Sequence, residues 1–159
     1  RRSLNYFTRA RRAVTRSSVL GCVENMVAMP PIACSGFTCA SGAAAVYDFV
    51  ADPRNLPRWA AGLARSEVRP DGDEWAADSP FGRVRIRFAP RNAFGVLDHD
   101  VRLESGLTVH NPMRVIPVGE GSEFTFTLIR QPGMTDEQFA RDRKAVEKDL
   151  QTLKELLER

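Results

Sequence analysis

Residues 135–159, TDEQFARDRKAVEKDLQTLKELLER, decide the fold. Thr135 is placed to cap a helix, Gln138 stands three positions on to close a capping box, and Met134 and Phe139 have the spacing of a hydrophobic staple. Phe139, Val146, Leu150, Leu153 and Leu157 then recur at intervals of three, four or seven, so they share one face. Acidic residues lead the segment, as the helix dipole favours. No Gly or Pro interrupts about six turns. Burying five such side chains contributes roughly 8–15 kcal/mol gross, at about 1.5–3 each. A stripe this narrow needs a long partner. The chain before it has strand-like patterning, so the partner is a sheet.

The chain has 159 residues and 43% hydrophobic residues, enough for one domain with its own core. No apolar run is long enough to span a membrane. The net charge of +3 is unevenly distributed. Residues 1–28 hold six Arg against Glu24, so the remainder is slightly acidic. The basic balance therefore belongs to the leader and does not argue for nucleic-acid binding by the domain. That leader, Arg- and Ser-rich, resembles an organelle transit peptide or a basic tail; the plainer alternatives are an appended remnant or a start misassigned upstream of Met26 or Met29. The expected division is a leader at 1–28 and one domain at 29–159. Cys22, Cys34 and Cys39 have neither disulfide-framework nor zinc spacing. Cys34 and Cys39 on one extended strand would lie about 16 Å apart on opposite faces, which points to free thiols and a reducing, cytoplasmic setting, with organelle targeting as the alternative.

Taken in order, 33–40 form a weak first strand containing Gly36. Ser41 is placed to cap a short helix whose Val46, Phe49 and Val50 face one way, and Asp52-Pro53 stops it. Leu56 and Trp59 share the core side of a second short helical turn. After Gly62 the period becomes two. Trp75, Ala77 and Ser79 share a face. Val84, Ile86 and Phe88 oppose Arg83, Arg85 and Arg87, and Leu97, His99, Val101 and Leu103 oppose Asp98, Asp100, Arg102 and Glu104. A strand over 107–117 places Leu107, Val109, Asn111, Met113 and Val115 on one face, with Pro112 marking a bulge or edge. Phe124, Phe126 and Leu128 alternate in the last strand.

Short connections imply a meandering antiparallel sheet, and its one apolar face implies a core on one side. The expected class is α+β: a helix-grip fold, with a curved antiparallel sheet of about seven strands wrapped on the C-terminal helix and two short helices after strand 1. A turn at 92–95 would set Phe88 opposite Leu97, Arg87 opposite Asp98, Arg85 opposite Asp100 and Ile86 opposite His99. Such exposed pairs contribute only about 0.2–1 kcal/mol each, so this charged face is a solvated surface.

The succession VYDFVADPRNLPRWAAGLA, EWAADSPFGRVRIRFA, NAFGVLDHDVRL and PMRVIPVGEGSEFTFTLIRQPGM, followed by the capped helix, resembles the START-like helix-grip superfamily. More narrowly it is similar to the polyketide cyclase/dehydrase and lipid-transport (SRPBCC) branch. The resemblance covers 33–158 and departs from the pattern in its first strand, which has Cys and Gly where β-branched residues are expected. It implies a deep apolar cavity between sheet and helix, open near the short helices and hairpin loops. One scaffold hosts many functions, so the chemistry must come from the residues.

His99 is the candidate catalytic residue, because strand alternation turns it inward, where it can act as acid/base or bond a ligand carbonyl; the bland alternative is a core histidine. Asp98 and Asp100 point to the opposite face and cannot orient it. Trp59 and Trp75 are candidate ligand-binding residues; Trp59 belongs either to the cavity mouth or to the core, and core packing is the default for Trp75. Phe88, Leu97, Val101, Met113, Phe124 and Phe126 line the interior or fill it, and Asn111 is the second inward polar group. Arg114 and His110 are expected to face outward.

The sequence contains no phosphate-binding glycine loop and no GxSxG elbow. No metal site, cofactor or nucleic-acid partner is expected. Three functions are consistent with this: binding or transport of a hydrophobic small molecule (a lipid, quinone or polyketide-like compound) by a monomer or weak homodimer; a cyclase/dehydratase using His99; or a co-chaperone-like interaction module. The first is preferred, since acid/base catalysis needs more placed polar groups than one His and one Asn.

Overall fold

A computed structural model describes residues 31–80 and 82–159; the leader at 1–28, with Cys22, lies outside them. The helix that organises the chain, α3, spans Asp136–Leu157. Its capping box is closed. The Gln138 backbone N–H donates to the Thr135 hydroxyl at 3.2 Å, and the Thr135 N–H donates to the Gln138 side chain at 2.7 Å. Leu150 and Leu153 are buried, while Phe139, Val146 and Leu157 pack half-buried on the same face.

Among the described residues, eight strands precede it. They are β1 (Ile32–Cys39), β2 (Arg69–Asp71), β3 (Glu74–Ser79), β4 (Gly82–Phe88), β5 (His99–Leu103), β6 (Thr108–Asn111), β7 (Met113–Val118) and β8 (Gly121–Ile129). The short helices α1 (Ala43–Val50) and α2 (Leu56–Trp59) follow β1, with a single 3-10 turn at Pro53–Asn55 between them. All pairing is antiparallel, in the orders β1-β8-β7 and β2-β3-β4-β5-β6. The expected curved antiparallel sheet of about seven strands is present as eight strands, divided between a sheet of three and a sheet of five. Pro112 is the cause: it has no N–H to give to a ladder, and the strand expected over 107–117 splits there into β6 and β7. Its carbonyl still accepts from the Thr127 N–H at 2.9 Å, so the wall bends without opening at that point. Leu107, expected inward, lies in the turn before β6 and is exposed.

Strand β1 pairs with β8 along its whole length, Ile32 opposite Ile129 through Cys39 opposite Ser122. The glycine that weakens this strand by propensity is required by contact: a Cβ at Gly36 would collide with the Phe124 carbonyl oxygen. Ser41 does not cap α1. The cap position is Gly42, without a side-chain bond, and the Ser41 hydroxyl instead donates to the Leu157 carbonyl at 2.6 Å. It satisfies one of the open carbonyls at the end of α3 and pins that end to the β1–α1 corner.

The register between β4 and β5 also differs from expectation. Phe88 faces His99, Arg87 faces Asp100 and Arg85 faces Arg102. The loop is wider than a tight turn because Leu97 is already engaged, its N–H donating to the Met113 carbonyl at 3.0 Å. Asn92 holds the loop: its side-chain oxygen accepts from the Phe94 and Val96 N–H groups, and its amide donates to the Pro90 and Val96 carbonyls. The shift is two residues, so every side chain keeps its face. The like-charged Arg85 and Arg102 are bridged by Glu74, which is in ion-pair range of both.

Candidate functional site

Three inward side chains form one row across sheet β2–β6: Phe88 on β4, His99 on β5 and Asn111 on β6, directly opposite one another in the ladders. The next row is Ile86, Val101 and Val109. His99 is 4% exposed, and its ring stacks on Phe88 with centroids 4.9 Å apart. Its Nδ1 has no hydrogen-bond partner. Burial pushes the imidazole down to about 4, against weaker opposing contributions from the Leu97 backbone and Asp100. The ring is therefore neutral at pH 7.

Neither neighbouring carboxylate reaches it. Asp98, on the outer face of the wall, accepts from the Met113 N–H at 2.9 Å and from the Arg114 guanidinium. Burial pushes its carboxyl up, but the Arg114 and Met113 bonds outweigh this and hold it below the usual carboxylate range. Arg114 faces outward as expected, in service of this anchor. Asp100 is engaged with His110, 2.7 Å from its Nδ1 on the exposed face.

Trp59 is set by the single turn of α2 and is 4% exposed; its indole Nε1 is the second buried polar atom without a partner among the described residues. The Asn55 side chain, donating to the Phe49 carbonyl at 2.8 Å, ties this turn to α1. Asn111 is buried, its amide donating weakly to the Val109 carbonyl at 3.4 Å. Leu97, Val101, Met113, Phe124 and Phe126 are all buried inward, and Trp75 and Phe88 pack half-buried against them.

Neither depression shown among the described residues is the deep, open cavity expected between sheet and helix. Met113, Phe124 and Ile86 have no solvent contact, and the interior is closed over His99. Two depressions among the described residues lie elsewhere. One of about 200 Å³ is bounded by Ser66, Glu67, Arg69 and β3–β4 residues, and one of about 410 Å³ lies at Pro31 and the β8–α3 junction. Inward-facing Trp75, Phe88 and Leu103, and Phe139 and Val146 on α3, are half-buried and keep some solvent contact.

Two acidic residues went unnoticed in the sequence. Asp142 and Asp149 stand three positions after Phe139 and Val146, beside the apolar stripe, and burial raises the carboxyls of both. Asp149 accepts from the Gly62 N–H at 3.2 Å, joining the segment after α2 to the long helix. The i+3 spacing from stripe residues was the available signal. Among the described residues no three His, Cys, Asp or Glu side chains gather as metal ligands, and no helix is long and apolar enough to cross a membrane.

The fold recurs in solved structures. The protein XoxI of Bacillus cereus superposes with a TM-score of 0.63 at 11% identity, covering 79% of this chain and 94% of that one. The Aha1 dimer of Colwellia psychrerythraea gives 0.64 at 13% identity, covering 80% and 96%. DynU16, from the dynemicin biosynthetic locus, gives 0.61 at 16%, covering 79% of this chain and 46% of that one. No curated protein matches by sequence. A family model matches residues 38–158, nearly the whole described domain, and on that match the chain belongs to the polyketide cyclase / dehydrase and lipid transport family.

Proposed function

We propose that the domain binds or carries a hydrophobic small molecule, held between the inner faces of the sheets and α3, without catalysing a reaction on it. One observation carries this reading: His99 Nδ1 and Trp59 Nε1 are buried in an apolar core with no partner. An unmade buried hydrogen bond costs about 1–3 kcal/mol, and native cores rarely keep such groups. A guest with one or two polar atoms satisfies them while burying its apolar body against Val101, Met113 and Phe124. The inward-facing Trp75, Phe88 and Leu103 are only half-buried. The free thiols of Cys34 and Cys39 agree with a reducing, cytoplasmic setting.

The enzyme reading is weaker. An imidazole held near 4 is a poor base at neutral pH, and Asp98 and Asp100 are committed to the other face. Saturable uptake of the neutral dye Nile red tests the proposal. Binding is expected to disappear in Ala77→Phe, which fills the interior, and to stay within about tenfold, or 1.4 kcal/mol, in His99→Ala. Uptake that survives Ala77→Phe in a folded protein contradicts an interior site.

One feature supports a second reading, a protein-interaction module. Phe94, Ile116 and Val118 are exposed, at 82%, 46% and 49%. The Val96–Arg114 bridge, continued by two residues, brings Phe94 opposite Ile116. On that reading Phe94→Asp abolishes partner binding and Ala77→Phe does not.

A further inference from the structure

The end strands of the two sheets are guarded unequally. Among the described residues, β2 and β6 end one sheet and β1 and β7 the other. Strand β2 is three residues long and reads Arg69-Pro70-Asp71. Strand β6 has four residues, and β7 carries Arg114 and Pro117 and is bridged to Val96. Short length, charge and proline keep a sheet edge from taking up another chain. Strand β1, IACSGFTC, has none of these: it runs for eight residues without a charged residue or a proline, in register with β8 from end to end. The Arg130 N–H donates to the Pro31 carbonyl at 3.0 Å, so Pro31 turns its backbone to β8. Backbone direction alternates along an antiparallel strand. Ala33, Ser35, Phe37 and Cys39 therefore also bond to β8, and the N–H and C=O groups of Ile32, Cys34, Gly36 and Thr38 point to the outer edge.

We propose that this edge pairs with the β1 edge of a second copy of the chain, antiparallel about a twofold axis normal to the sheet. With Ser35 opposite its own symmetry mate, Ile32 meets Thr38 and Cys34 meets Gly36. All four outward residues of each strand are then used, and about eight backbone hydrogen bonds form, close to the roughly ten of a typical interface. The second copy fits because the contact is self-complementary and sets no charge of β1 against another. Both α3 helices lie on the same side of the joined sheet. Seven paired residues span only about 23 Å along one narrow edge, so the dimer belongs to the weak, concentration-dependent class.

Amide hydrogen exchange of the full chain, followed by NMR at about 10 μM and about 1 mM protein, tests this. The amides of Ala33, Ser35, Phe37 and Cys39 are expected to be protected at both concentrations. Those of Ile32, Cys34, Gly36 and Thr38 are expected to gain at least about tenfold protection at the higher one only. The Cys34 side chain is exposed, and Cys34→Lys sets two ammonium groups within about 8 Å of each other across the proposed contact. This variant is expected to abolish the gain and to leave the amides that face β8 protected. Equal protection of the four outward amides at both concentrations would mean that another part of the same chain covers the edge, and overturns the proposal. So does their rapid exchange at the higher concentration, or a gain that survives Cys34→Lys in folded protein.

Discussion

The imidazole of His99 lies against the phenyl ring of Phe88, its direct partner across the β4–β5 ladder, with the ring planes 24° from parallel. This stack fixes the histidine in the apolar interior and away from Asp98 and Asp100. Its titration is therefore a reporter of the fold. With a folded value near 4 and an ordinary value of 6.5, the unfolded chain binds the extra proton between those limits. Stability attributable to His99 is thus level above pH 6.5 and declines as pH falls toward 4, by roughly 3 kcal/mol in all. Urea unfolding across this range should show that decline, and the His99→Leu variant should lack it. Parallel pH profiles for the two proteins would contradict the burial of a neutral imidazole.

Trp59→Phe removes an unpartnered buried donor and keeps most of the ring. The loss of volume and the relief of the stranded N–H oppose each other, so unfolding free energy should change by less than about 1 kcal/mol. Trp59→Ala should cost about 3–5 kcal/mol. A Trp59→Phe loss as large as that of alanine would mean that the indole N–H is bonded in the folded protein.

Gly36→Ala should destabilise by about 1–3 kcal/mol or more, since the new methyl group meets the backbone of β8 and no flexible side chain can yield. The neighbouring exposed Cys34→Ala is the control, expected within about 0.5 kcal/mol of the parent. Thermal unfolding of both variants measures the difference.

Asp98 replaces, from its side chain, a backbone bond lost where Pro112 breaks the strand. Asp98→Ala should cost about 1–3 kcal/mol by stranding the Met113 N–H. Because the folded carboxyl titrates below its ordinary 3.8, its contribution is present above that pH and is lost as pH falls through the lower folded value. Acid unfolding of parent and variant should converge there.

Much of this architecture was legible in the sequence because it rests on local periodicity. The capping box at Thr135 and Gln138, the α3 stripe and the inward set Leu97, His99 and Val101 all follow from residue spacing. What escaped depends on partners distant in sequence. The β4–β5 register is set by Leu97 pairing with Met113, Ser41 is taken by Leu157, and Gly36 is dictated by the backbone at Phe124. Parity survived the register error because the shift was even. The site shows the same division: alternation turned His99 and Asn111 inward, but only the assembled core reveals that His99 Nδ1 and Trp59 Nε1 lack partners. The closing of the interior over His99 was equally out of reach, since the residues that line a hollow are those that fill a core.

Native mass spectrometry of the freshly purified protein tests the central claim most directly. The account predicts a fraction of the protein carrying one hydrophobic organic compound at one-to-one stoichiometry, released on unfolding and absent from the folded Ala77→Phe variant. Bare protein throughout, with no saturable uptake of Nile red, would contradict it.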